Sequence, residues 1–239
     1  MKNIAFVMET KQYYHEFQPL CQFTDRGRFG YEALLRSLTG INPNDLFQLA
    51  MEQNFLFELD TWSMSHALSS FFLSSAAEEE GLLFVNLFPS TITADAFPKF
   101  VKDLRKRFAC AIHRVVIEIN ETISEESVWY NPVFLQRIKE LRKEGFHIAL
   151  DDVGEGTATL RKIVEVSPDF IKIDCFFAKQ LSQSKKKQQV VRLLVDYCRQ
   201  TESILILEGI ERQEDFECAA QLGVTIGQGF YLGRPHRLD

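Results

Sequence analysis

Ile148-Ala149-Leu150-Asp151-Asp152 and Phe170-Ile171-Lys172-Ile173-Asp174 flank a helical stretch over 157–166, and this unit decides the fold. Each run has strand length, is apolar on both faces and ends in charge. The link between them is long enough for a helix, so the two strands run parallel. The same rhythm extends both ways. Strands are predicted near 82–87, 114–119, 146–151, 169–174, 203–208 and 224–227. Helices are predicted near 97–108, 131–144, 157–166, 186–200 and 212–222, with Gly145 and Gly223 ending two of them. The start of the chain differs. The runs 17–23 and 29–35 are joined only by Thr24-Asp25-Arg26-Gly27-Arg28, a link that permits only an antiparallel pair. Two helices follow, near 43–54 and 57–78, the first opening Asn42-Pro43-Asn44-Asp45 as a helix start should. Eight strands of this kind predict an α/β fold, a TIM-like (β/α)8 barrel with the first strand antiparallel, ahead of a doubly wound open sheet. No linker, repeat or low-complexity segment divides residues 1–239, which read as one domain.

Composition narrows the function. The 239 residues are 46 % apolar, as in an ordinary globular domain, and this length suits one α/β barrel. With 27 basic and 33 acidic residues the net charge is −6, which gives no positive field for duplex nucleic acid. The five cysteines (Cys21, Cys110, Cys175, Cys198, Cys218) are scattered and never spaced Cys-x-x-Cys, so they read as reduced thiols. The five histidines lack metal-ligand spacing and read as surface or packing residues. No apolar run reaches the roughly 18 residues of a membrane span, and no signal-peptide pattern opens the chain. The expected location is the cytoplasm.

The chemistry lies where strands end. Asn86 closes Leu82-Leu83-Phe84-Val85, Glu118 follows Val115-Val116-Ile117, and Glu208 ends Ile204-Leu205-Ile206-Leu207. Asp151, Asp152 and Lys172 lie on the two strands already quoted. A carboxylate on a buried strand is costly unless a cation meets it, and several delivered together point to a shared divalent site. Barrel active sites gather at the carboxyl ends of strands, where these residues fall. Hard oxygen donors without thiolate or imidazole suit magnesium or manganese. A doublet such as Asp151-Asp152 can bridge two ions, the arrangement that stabilises both oxygens of a phosphoryl displacement, and Lys172 could orient or deprotonate the attacking water.

Taken singly, each signal has a plainer reading. Asp152 alone is equally a helix N-cap, Lys172 with Asp174 an interior ion pair, Asn86 a turn cap before Pro89, and Glu32 a strand-edge salt bridge. Lys185-Lys186-Lys187 reads as a solvated helix start and Glu78-Glu79-Glu80 as a solvated helix end. Gly154-Glu155-Gly156 mimics a dinucleotide fingerprint but fails it, because Thr159 takes the third glycine position.

Together the residues resemble the EAL domain, the phosphodiesterase that cuts the bacterial second messenger cyclic di-GMP, over about 17–235. Glu32-Ala33-Leu34 matches the signature, Asn86 the strand-terminal asparagine, and Glu118-Ile119-Asn120-Glu121 the Glu-x-Thr-Glu motif. Asp151-Asp152-Val153-Gly154-Glu155-Gly156 matches the double-aspartate loop and Lys172-Ile173-Asp174 the Lys-Ile-Asp motif. Glu208-Gly209-Ile210-Glu211 and Gln228-Gly229-Phe230 complete the series.

The resemblance implies hydrolysis of cyclic di-GMP to linear pGpG with two Mg²⁺ or Mn²⁺ ions. Glu32, Asn86, Glu118 and Asp151 would hold the first metal, and Asp151, Asp152 and Glu208 the second. Lys172 would position the attacking water, with Glu211 and Gln228 supporting water and metal shell. Arg36 would meet a substrate phosphate, Gln18 would lie beside the site, and Glu121 would hold the loop after Asp152. A homodimer, and contact with a protein partner, are further expectations of the resemblance. The chain departs from the family pattern at Val153, Glu155, Asn120 and Cys175. An extra carboxylate at Glu155 would oppose substrate phosphates or compete for metal. A catalytically silent module that binds cyclic di-GMP as a receptor, or one that binds only a protein, is the alternative.

Overall fold

The computed structural model describes residues 12–119, 125–154 and 160–239. Its strands are β1 (Tyr13–Gln22), β2 (Arg28–Ser37), β3 (Leu82–Leu87), β4 (Val115–Ile119), β5 (His147–Val153), β6 (Phe170–Ile173), β7 (Ile204–Leu207) and β8 (Ile226–Gln228). They form a closed barrel in sequence order. Neighbours from β2 to β8 are parallel, whereas β1 is antiparallel to both β2 and β8. The sheet is therefore closed with its first strand reversed, and the open-sheet alternative is set aside. Apolar faces on both sides of the strands suit either a barrel or an open sheet; closure is made by β1 against β8, with Leu20, Cys21 and Gln22 opposite Gln228, Gly227 and Ile226.

The helices are α1 (Pro43–Glu52), α2 (Leu56–Phe72), α3 (Pro89–Thr93), α4 (Phe97–Arg107), α5 (Glu126–Trp129), α6 (Pro132–Lys143), α7 (Leu160–Val166), α8 (Cys175–Ala178), α9 (Lys185–Thr201) and α10 (Gln213–Leu222). Asn42 caps α1 by accepting from Asn44 N at 3.0 Å, with Pro43 inside the first turn. Two expectations needed correction. The helix expected over 57–78 stops at Phe72, because the Ser74 hydroxyl turns back to Phe71 O, and residues Ser75–Glu78 form a separate 3-10 turn. The short helices α3, α5 and α8 were not anticipated, being too brief for a 3.6-residue period to register.

The barrel interior explains where the site must be. Leu20, Phe84, Val116, Ala149, Phe170, Ile206 and Ile226 pack together in one apolar layer. Two residues beyond each of these on the parallel strands stand Asn86, Glu118, Asp151, Lys172, Glu208 and Gln228. Strand side chains repeat every second residue on one face, so a single step along six strands exchanges an apolar layer for a polar one. On the reversed β1 the step runs backwards, from Leu20 to Gln18, and Gln18 pairs in register with Glu32. At Gly30, two residues before Glu32, a Cβ would lie 2.3 Å from Leu82 O, so backbone alone fills that position.

A candidate metal centre at the mouth of the barrel

Lys172 Nζ is the centre of the polar layer. It lies 2.6 Å from Glu118 Oε1, 2.9 Å from Asp151 Oδ1, 2.9 Å from Glu208 Oε1 and 3.3 Å from Glu32 Oε2. Lys172 and Glu118 are fully buried. Asn86 is opposite Glu118 in the parallel register of β3 and β4, and its Nδ2 donates to Glu118 at 3.2 Å and to Glu32 at 3.3 Å. Gln228 Nε2 donates to Glu32 Oε2 at 2.8 Å. Asp174 is not part of this set. It caps α8 by accepting from Phe176 N at 2.8 Å, so the supposed Lys172–Asp174 pair is replaced by four other carboxylates.

Asp152 joins the group through backbone geometry. Adjacent strand residues normally face opposite sides, which would send Asp152 away from Asp151. The β5–β6 register shifts between Leu150 and Val153, and Asp152 adopts φ +51°, left-handed for a non-glycine residue. Such a conformation costs on the order of 1 kcal/mol or more and persists where the surroundings enforce it. The result is two overlapping sets of carboxylates, Glu32-Glu118-Asp151 and Asp151-Asp152-Glu208. Within each set one oxygen per residue lies within 4.8 Å of the others. Asp151 belongs to both, and Asp152 to the second.

The electrostatics mark a deficit of positive charge. Burial, reinforced by Glu32, pushes the Glu118 carboxyl well above its ordinary range. Burial likewise raises Glu208 and Asp151 against the pull of Lys172. For Glu32 burial acts upward, but Lys172 and hydrogen bonds from Gln228, Lys172 and Asn86 hold it low. Lys172 itself is raised well above an ordinary lysine, because Asp151, Glu118, Glu208 and Glu32 outweigh its desolvation. One ammonium faces four carboxylates. Glu118 Oε1 and Asp151 Oδ1 share this one ammonium, and Gln228 Oε1 is buried without a partner. A charge-deficient set of hard oxygens with spare lone pairs fits one or two divalent cations.

The remaining predicted residues surround this core. Gln18 and Glu211 line a cavity of about 210 Å³ with Glu32, Glu208, Gln228 and Phe230. Gln18 Nε2 donates to Gly233 O at 3.2 Å. Arg36 lines a larger cavity of about 730 Å³ that also reaches Asn86 and Asp152, with Phe47, Met64 and Phe88 among its apolar walls. The Arg36 guanidinium is steadied by Glu16 at 2.9 Å and by Leu35 O at 3.1 Å. Glu121, Asn120 and Glu155 lie outside the described residues.

The fold also assembles groups that spacing could not reveal. His15 Nδ1 and His66 Nδ1 are 3.0 Å apart, and His15 Nε2 meets Ser63 Oγ at 3.0 Å in the wall of the larger cavity. Burial, then His66 and Arg36, pushes His15 down to about 3, so it is a neutral packing histidine. Near the end of β3, Asp60 and Glu125 are buried on main-chain amides. All five cysteines are free thiols, and no described helix is long and apolar enough to cross a membrane.

A closed eight-stranded α/β barrel with an acidic centre at the carboxyl ends of its strands is the class that this geometry defines. The chain belongs to the EAL domain family, whose model matches residues 3–235. It is 28 % identical over 241 residues to the probable cyclic di-GMP phosphodiesterase PdeI of Escherichia coli K12, covering 98 % of this chain and 30 % of PdeI. It is 26 % identical over 243 residues to the cyclic di-GMP phosphodiesterase PdeF of the same organism, covering 100 % of this chain and 32 % of PdeF. The chain therefore spans about a third of the length of these relatives. Among solved structures it superposes on the manganese and cyclic di-GMP complex of Klebsiella pneumoniae BlrP1 with TM-score 0.83 and 26 % identity, over 94 % of this chain and 56 % of that one.

Proposed function

We propose that the protein is a metal-dependent phosphodiesterase that hydrolyses cyclic di-GMP to linear pGpG. The observation that carries this reading is the buried strand-end cluster, in which four carboxylates face one ammonium and Asp151 serves two overlapping sets. Glu32, Asn86, Glu118 and Asp151 would hold one Mg²⁺ or Mn²⁺ ion, and Asp151, Asp152 and Glu208 a second. Bound there, the ions would supply Lewis-acid activation of a water and neutralise charge developing on the phosphate.

The chain's own residues would do the rest. Lys172, fixed by its carboxylate partners, would orient the attacking water, with Gln228 and Glu211 supporting it from the smaller cavity. Arg36 would bind a substrate phosphate with the part of its guanidinium that Glu16 leaves available, and Gln18 would contact the nucleotide beside Glu32. The larger cavity has room for a nucleobase with apolar walls and polar rim. Glu121 would hold the loop that follows Asp152. A homodimer and a cytoplasmic location belong to the same proposal, the first supported by exposed Leu160 and Val164 one turn apart on α7 and by Leu193 on α9.

The test is direct. Purified protein is incubated with cyclic di-GMP and Mg²⁺ or Mn²⁺, and products are resolved by chromatography. Formation of pGpG above a metal-free control is expected. Intact nucleotide binding without product would make the protein a receptor instead.

A further inference from the structure

Two buried carboxylates outside the metal centre have no role in the chemistry above. Asp60, on α2, is 1 % exposed and accepts from Phe88 N at 2.9 Å. Glu125, immediately before α5, is 6 % exposed and accepts from Ser90 N at 2.6 Å. Both amides belong to the first turn of α3, whose N-cap residue Phe88 supplies no side-chain cap of its own. Among the described residues neither acid is in an ion pair. Burying two unpaired carboxylates is costly, and a five-residue helix is too short to sustain itself.

What lies next to it is Asn86. That residue is two positions before Phe88, and its amide bridges Glu32 and Glu118. On the β4 side the ladder holds Asn86 and Leu87 opposite Glu118 and Ile119, but on the β2 side the register stops at Val85, so the end of β3 is held along one edge only. The chain must turn there at Phe88-Pro89, and Phe88 itself lines the larger cavity beside Asn86.

We propose that Asp60 and Glu125 form a two-carboxylate clamp on the turn between β3 and α3, positioning Asn86 for the first cation. One jaw comes from the helix after β2 and the other from the segment after β4, so the clamp ties together the elements that deliver Glu32, Asn86 and Glu118. This rests on the metal-centre reading above. Asp60 and Glu125 are positioning residues, acting only through the main chain that carries Asn86.

The experiment uses the intact chain and the variants Asp60→Ala, Asp60→Asn, Glu125→Ala and Glu125→Gln. Amide hydrogen exchange reports on 86–93, calorimetric titration measures Mn²⁺ affinity, and thermal melting identifies variants that fail to fold. The alanine variants should exchange faster over 86–93 while β5 to β7 stay protected, and should bind Mn²⁺ about tenfold or more weakly. Asn and Gln retain an acceptor oxygen and should restore most of both properties. Unchanged exchange over 86–93 in folded alanine variants would overturn the clamp, whatever the metal does. Faster exchange with unchanged Mn²⁺ affinity would reduce the pair to a stabilising cap and overturn the positioning role. Wild-type protein that binds no Mn²⁺ would sink the metal-centre reading and the role of Asn86 in it, while the exchange data still decide whether the clamp holds the turn.

Discussion

Lys172 and Asp151 carry opposite burdens, and their substitution should separate them. Asp151 is shared by both carboxylate sets, so Asp151→Asn should remove nearly all hydrolysis while leaving the barrel folded. It also removes one charge from a buried group of like charges, so metal-free Asp151→Asn should melt no lower than the wild type. Retained turnover in this variant would contradict a shared ligand. Lys172→Ala has the reverse effect on stability. It strands four carboxylates without their cation, and breaking a buried pair from one side costs about 3–5 kcal/mol. Metal-free Lys172→Ala should therefore melt well below the wild type and recover on Mn²⁺ addition. Its turnover should fall by orders of magnitude with substrate affinity much less changed. Collapse of affinity with turnover of bound substrate spared would instead make Lys172 a phosphate clamp.

At the scale of elements, the junction of α2 with the β3–α3 turn should make stability depend on pH. Burial pushes the Asp60 carboxyl up to about 7, and Glu125 adds to the rise against the hydrogen bonds that Asp60 accepts. An acid whose pKa is raised by folding keeps its proton in the native state after the unfolded chain has lost it. Between the ordinary carboxylate range and about pH 7 the native state thus binds more protons, and stability falls as pH rises through that window. The loss is fully developed above pH 7. It amounts to at most a few kcal/mol, since a tenfold change in proton affinity corresponds to roughly 1.4 kcal/mol. Asp60→Asn, whose amide oxygen can still accept from Phe88 N, should flatten that part of a melting-temperature profile measured from pH 5 to 8. A profile equally steep in both proteins would mean that another group is responsible.

For the whole molecule, cations held in the polar layer as proposed would make folding and cation binding one equilibrium. A ligand that binds only the native state stabilises it by about 2.7 kcal/mol at a hundred times its dissociation constant. Mn²⁺ or Mg²⁺ should therefore raise the melting temperature of the wild type, and a chelator should reverse the gain. Glu208→Gln should blunt the response, because Glu208 belongs to one of the two sets. Equal stabilisation of the wild type and Glu208→Gln would place the cations elsewhere. Assembly is tested in the same preparation. Leu160 and Val164 expose about two thirds of their surface, so Leu160→Asp with Val164→Asp should shift a sedimenting dimer to monomer without loss of fold. A monomeric wild type would remove the dimer from the proposal.

Alternation of apolar strands with helices, the short link before Phe29 and the acids closing the strands are local properties of the sequence. They were enough to define the reversed-first-strand barrel and to single out Asn86, Glu118, Asp151, Lys172 and Glu208, because strand period and hydrophobic burial act over a few residues, whereas Glu32, inside its strand, was singled out as a ligand only by the family resemblance. Helices of a single turn escaped, since they are too short for a helical period and their partners, such as Asp60 and Glu125 on the amides of Phe88 and Ser90, are distant in sequence. The partner of Lys172 was likewise undecided between Asp174, two residues away on the same strand, and acids on four other strands. Closure of the barrel settled it by bringing Glu32 of β2 within 3.3 Å of Lys172 across 140 residues. The convergence of Asp151 with Asp152 also needed the β5 register shift and a left-handed φ, which strand periodicity argues against. The sequence thus specified which side chains reach the mouth of the barrel. Which of them meet is a long-range result, decided when the strands closed around one buried lysine.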